Sequence, residues 1–336
     1  MIMTAAIDPD ALAPACFAQT GYQDQVAMFF RGIESNGAML LDSDARLLDE
    51  LEYRISELPI KYRQDLEIRF AEFRKKPNRG RLVKCRADVC KTSSGQQPWE
   101  RVQLIGRGVR ADAVFASPEH CDGFSDDGLP PACPLSQYTG SRFEEKRRWF
   151  MDNMPNADRL RPSEFDEAIA RVTRFSRWIR FFDKQIGKGK NVSNFRRGIE
   201  RVLTIWRDNA HFQPEDVEIV TALGEPVLDT DDAYTAQQRQ QRNGETCERL
   251  KSKLVAPLKE LFPFPIRLYV KAERRDIFRN RYLQTEQTII HFSEGFDLLN
   301  DDGSFRDNIL QVRNQDFDRL ADLRRLRDYE DLRCGQ

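Results

Sequence analysis

A chain of 336 residues, 40% hydrophobic and 10% aromatic, is long enough for two ordinary domains and too apolar for a disordered linker. Its 53 basic and 54 acidic residues leave a net charge of −1, which excludes a global pull toward nucleic acid or anionic membrane and confines such binding to a local patch. Seven scattered cysteines do not form a disulfide framework, and no apolar run approaches the roughly 18 residues of a membrane span, so the sequence predicts a cytoplasmic protein without membrane insertion.

Residues 1–21 show no sustained periodicity and are expected to be a mobile start. Residues 22–33 predict a short helix, and 37–42 a short apolar strand that ends on an acid. From Asp44 onward Leu47, Leu48, Leu51, Ile55 and Leu58 recur at helical spacing, and a second amphipathic stretch covers 60–75. Pro77 to Gly80 break the pattern; 81–85 and 114–116 then predict strands. The Gly-, Pro-, Ser- and Asp-rich stretch 122–140 reads as a loop, and a charged helix over 142–151 closes a first α/β domain, residues 22–153.

Ser163, with Asp166 three residues on, reads as the N-cap of a helix that opens a second domain, residues 163–314. Strands at 176–183, 217–223 and 266–270 alternate with helices at 193–206 and 233–262. A hairpin over 281–292 and a strand at 309–312 follow, and residues 315–336 predict a charged helix from Phe317 to Leu332. The alternation gives an α/β fold, with a mixed, largely parallel sheet flanked by helices in the second domain.

Three segments carry a family resemblance: Trp178-Ile179-Arg180-Phe181-Phe182-Asp183, Glu218-Ile219-Val220-Thr221, and Arg281-Tyr282-Leu283 followed by Glu294-Gly295-Phe296-Asp297. In these the region 163–314 resembles the phospholipase-D-like domain at the C-terminus of MIT-domain proteins and its relatives in bacterial conflict systems. The family's His-Asp-Arg element is Arg279-Asn280-Arg281 here, and neither His120, His211 nor His291 is followed by a lysine two residues later. A phosphohistidine mechanism needs that histidine nucleophile, so the resemblance implies the fold without active phospholipase D chemistry. What it leaves is phosphate binding by Arg274, Arg275, Arg279, Arg281 and Lys184, because guanidinium groups hold phosphate in bidentate fashion.

In the first domain Asp42 ends a strand, Glu50 follows on a helix and Asp112 lies beside a later strand. That pattern is similar to PIN-type nucleases. The similarity implies catalysis by Asp42, Glu50 and Asp112 around Mg²⁺ or Mn²⁺, with Asp42 and Asp112 as metal ligands, since hard cations prefer oxygen donors. The same acids also suit a helix N-cap. Cys85, Cys90, Cys121 and Cys133 lack a second close pair, which argues against zinc. The expected function is a component of a bacterial antiviral-defence system that cuts or binds nucleic acid. The alternative is a non-catalytic module that docks a protein partner encoded in the same locus, or a phosphate-containing ligand. Nothing in the sequence sets an oligomeric state.

Overall fold

The computed structural model describes residues 3–75, 81–90, 95–121, 132–152, 162–188, 192–223, 231–271, 280–300, 302–313, 316–326 and 328. The chain is α/β and divides into two compact units, Met1–Asn153 and Met154–Gln336.

The first unit holds strands β1 (Met3–Ile7), β2 (Gly37–Leu41), β3 (Leu82–Lys84), β4 (Ala113–Ala116) and β5 (Ala132–Pro134). They form a parallel sheet in the order β3-β2-β1-β4-β5. Helices α1 (Pro14–Phe17), α2 (Tyr22–Asn36), α3 (Arg46–Glu57), α4 (Ile60–Lys75), α5 (Pro98–Val109), α6 (Pro118–Cys121) and α7 (Arg142–Asp152) make the connections. The expectation of a mobile start is overturned: β1 is the central strand and every residue in it is buried. Its sequence, Met-Thr-Ala-Ala-Ile, is short and carries small side chains. A strand covered on both faces also lacks the polar alternation that marks a half-exposed one. The predicted loop 122–140 is corrected in part, since Ala132–Pro134 pairs with β4 and is followed by a turn of 3-10 helix that buries Leu135 and Tyr138. Phe29 of α2 meets Phe115 of β4 and Tyr138 edge-on, at 5.1 and 5.7 Å between ring centres, a favourable aromatic geometry.

The second unit begins with α8 (Pro162–Thr173). Pro162 occupies the first turn, where its missing N–H costs nothing, so Ser163 lies inside the helix and is not its N-cap. Asp166 instead pairs with Arg201 at 2.9 Å. There follow β6 (Trp178–Phe182), α9 (Val192–Asn209), β7 (Asp216–Ala222), α10 (Ala233–Leu250), α11 (Ala256–Leu261), β8 (Ile266–Lys271), β9 (Arg281–Gln284), β10 (Ile289–Phe292), β11 (Leu310–Val312) and α12 (Phe317–Arg325). Between α10 and α11 lies one π-helical turn, Lys251–Val255. Pro257, which has no N–H to give the carbonyl four residues back, follows that turn.

The sheet order is β11-β10-β9-β6-β7-β8. β6, β7 and β8 are parallel, whereas β9 joins β6 antiparallel and the β9–β10 and β10–β11 pairs are antiparallel too. The sheet is therefore mixed, and its parallel part is smaller than expected because the β9–β10 hairpin enters beside β6 rather than by a helical crossover. One face packs Ile179, Phe181, Ile219 and Leu283 against α8, α9 and α10 through Phe165, Val202, Trp206 and Leu250. The other face packs Phe182, Val220 and Tyr282 under Leu320 and Leu323 of α12. That helix ends at Arg325, with Leu326 already extended, so it is shorter than the sequence pattern implied.

Candidate metal centre

In a parallel sheet all strands deliver their C-terminal ends to one edge, the usual place for a ligand in open α/β folds. At that edge of the first unit Asp8 follows β1, Asp42 follows β2 and Ser117 follows β4. The β1–β2 register pairs Met3 with Gly37 and Ala5 with Met39, so its continuation sets Asp8 beside Asp42.

Asp8 is fully buried and shares its carboxylate among three groups. Oδ1 accepts from the Asp10 backbone N–H at 3.1 Å, which caps the 3-10 turn Pro9–Leu12. Oδ2 accepts from the Ser117 N–H at 3.2 Å and lies 2.7 Å from His120 Nδ1. A carboxylate held against one ring nitrogen fixes the orientation of the imidazole and leaves its other nitrogen available. The indole of Trp99, in the first turn of α5, stacks on the His120 ring at 4.9 Å and 8°. Asp10, half-buried, is held by Arg54 Nη2 at 2.7 Å. Asp8, Asp10 and His120 each bring one ligand atom within 4.8 Å of the others, and the group is able to hold a metal ion. It is also the single such group of three among the described residues.

The predicted acids are not brought together. Asp42 is buried at the same edge, but its Oδ1 accepts the Leu47 N–H at 2.9 Å as a cap for α3. Its Oδ2 has no hydrogen bond, and the nearest cation, Arg101 Nη1, stands 3.8 Å away. Burial, the largest influence on that carboxyl, pushes its pKa up. Glu50 is half-buried on α3. Asp112 lies at the opposite edge, just before β4, where its Oδ2 accepts from Thr4 N at 2.9 Å and Thr4 Oγ1 at 3.0 Å. Thr4 and Asp8 are four residues apart on an extended strand, about 13 Å, so Asp112 cannot share a metal with Asp42. Asp112 fastens β4 to β1; the metal role expected for it is corrected on that ground.

Sequence reasoning passed over Asp8 and Asp10 because they fell in the presumed mobile start. The signal was there: a short apolar run, Ala5-Ala6-Ile7, handing over to two acids across a proline. The cysteines are dispersed among other partners. Cys85 follows β3 and lies against Cys90, whose thiol pKa is lowered chiefly by that hydrogen bond. Cys121 and Cys133 turn toward the backbone oxygens of Ala116 and Pro134.

In the second unit Lys184 and Arg281 both flank Asp183, while Arg274, Arg275 and Arg279 lie outside the described residues. Asp183 follows β6 and is fully buried; its Oδ1 accepts the Gln185 N–H at 2.7 Å and its Oδ2 the Phe296 N–H at 3.1 Å. Desolvation raises its pKa to about 6 against the lowering effect of those donors and of Arg281. Gly295 has φ +81°, and a Cβ there would collide with Asp183 Oδ2, so the Gly-Phe-Asp corner needs its glycine twice over. Arg281 donates from Nη1 to the Ser293 carbonyl. No helix of the described residues is long and apolar enough to cross a membrane. Compared with protein-family models and with curated proteins, the chain matches none.

Proposed function

We propose that the chain is a metal-dependent phosphodiesterase acting on nucleic acid, with its centre at Asp8, Asp10 and His120. The observation that carries this reading is the convergence of two carboxylates and one imidazole at the C-terminal edge of a parallel sheet. In the PIN-type resemblance an acid ends the first strand, and Asp8 fills the place first given to Asp42. A donor set containing imidazole suits Mn²⁺, Fe²⁺ or Zn²⁺ better than Mg²⁺, which favours oxygen ligands and retained water. Such an ion, held by these three residues, would lower the pKa of a bound water and neutralise charge on a phosphodiester. Arg54, one-third exposed and already bonded to Asp10, adds a guanidinium at the rim that can reach a phosphate oxygen. A role in bacterial antiviral defence rests on the resemblance of residues 163–314 to conflict-system domains, and nucleic acid is the substrate that role would require.

One observation favours a second reading, a non-catalytic binding protein. Asp8 already has three partners, and two of them, Ser117 and His120, tie the ends of β1 and β4 together, as a purely structural carboxylate would. Isothermal titration with Mn²⁺ and Zn²⁺, beside incubation with labelled single- and double-stranded DNA and RNA, separates the two. The enzyme reading expects binding of one ion and metal-dependent cleavage, both lost in Asp10→Asn, a change at a half-buried position that leaves the Asp8 bonds to Ser117 and His120 in place. Unaltered cleavage in that variant, or no metal binding by the parent protein, would overturn it.

A further inference from the structure

β8 is the outer strand of the second unit's sheet and, among the described residues, pairs along its length with β7 alone. The carbonyls of Pro265 and Lys271 accept from Val217 of β7 and from Leu223 just after it, at 2.9 and 3.0 Å. Hydrogen-bonding direction alternates along a strand, so Ile266, Leu268 and Val270 turn their N–H and C=O groups away from β7, toward the open side. A row of unpaired backbone groups is a template for a further strand.

The same side carries a groove of about 430 Å³ lined by the first four residues of β8, by the π turn and by the start of α11. Val255 and Leu268 make its apolar floor, and the charged side chains along it are Lys251, which stands 3.4 Å from Glu248, Lys259 and Arg267; among the described residues no acid lines it. Arg267 is held upright by Asp216 and sits 3.5 Å from Glu218, leaving more than half of its side chain exposed. At the far end of β8 the edge already accepts one acidic residue of an antiparallel segment, since Asp328 forms a bridge to Lys271 and its Oδ1 lies 2.9 Å from Lys271 Nζ.

We propose that the edge of β8 from Ile266 to Tyr269, which no described residue pairs, docks an extended acidic segment of a partner protein as an added strand. Main-chain hydrogen bonds to Leu268 supply the affinity, and Lys251 and Lys259 select carboxylates on alternate residues. In a symmetric antiparallel pairing centred on Arg267, a second copy would set Arg267 against Arg267, which disfavours that register. Nothing in this depends on the metal centre, which lies in the other unit.

The test uses the full chain and a fluorescein-labelled octapeptide of alternating glutamate and valine, read by anisotropy. Saturable binding is expected, weakened at least tenfold in the double variant Lys251→Glu/Lys259→Glu, whose exposed positions leave the fold unchanged by circular dichroism. Leu268→Pro, which removes one outward N–H and none of the N–H groups given to β7, is expected to weaken it similarly. Hydrogen exchange supplies an independent reading: the Leu268 amide should gain protection when the peptide is bound. Equal binding of a lysine–valine octapeptide, equal competition by a thymidine oligonucleotide, no binding, or unchanged binding in the charge-reversed variant would each overturn the proposal. So would binding seen only after truncation behind Asp328, which would make the chain's own last residues the occupant.

Discussion

Asp183 and Gly295 show how far one residue's environment dictates its neighbour. Placing a methyl at 295 imposes both a left-handed backbone on a side chain and a collision with a buried carboxylate, so Gly295→Ala is expected to cost 2 kcal/mol or more (a rough sum of ~1 kcal/mol for the backbone and at least as much for the clash), read from the urea midpoint. Asp183 has a pKa raised above its unfolded value, which makes the protonated form the one the fold prefers. Its contribution to stability is complete below about pH 4 and is lost as pH rises through about 6. The loss is on the order of 3 kcal/mol. Urea denaturation from pH 4 to 7 should therefore show a fall in the parent protein that Asp183→Asn, neutral throughout, lacks; parallel curves would refute the assignment. At the candidate centre, Asp8→Asn has one oxygen to serve two backbone donors on different oxygens, so ~1–3 kcal/mol of stability should go as well as the metal site. That double effect is why Asp10→Asn is the cleaner probe of function.

At the scale of elements, α12 is fixed to its sheet by two buried ions as well as by Leu320 and Leu323. Glu218, 1% exposed on β7, accepts from Arg324 through both oxygens, at 2.6 and 2.7 Å, and from Arg180 at 2.7 Å. Lys271, equally buried at the end of β8, donates to the carbonyls of Arg324 and Leu326, at 2.9 Å each, which satisfies acceptors that a helix end leaves open. Removing one member of such a set strands the other, so Lys271→Ala should lower stability by about 3 kcal/mol and detach the helix, seen as faster exchange of the α12 amides. Neither ion was readable from the sequence, where Glu218 and Lys271 look like ordinary surface charges. The strands that carry them were readable, because Val217 to Ala222 and Ile266 to Val270 are compact β-branched runs. β1 was not, since alanines and a threonine give little strand signal and its burial comes wholly from neighbours far along the chain. With β1 taken for a loose end, the first strand-ending acid the sequence offered was Asp42 and not Asp8.

For the whole molecule, the division into two units makes a prediction about the candidate centre. All three ligands of the candidate centre come from Met1–Asn153, which has its own sheet and its own buried aromatic cluster, so a fragment of residues 1–153 should bind Mn²⁺ as the full chain does; titration calorimetry on both would check it. A fragment that folds yet fails to bind where the full chain binds would refute that expectation. The stacked pair Trp99 and His120 also gives the protein an optical property. An indole lying flat on an imidazole senses the charge that the imidazole carries, because cations are drawn to the indole face and perturb its excited state. Among the described tryptophans, Trp99 is the one stacked on His120, so its emission should dim when a paramagnetic ion binds there, and the difference from Trp99→Phe isolates that signal. The centre carries its own reporter, so its occupancy can be followed by fluorescence before any substrate is known.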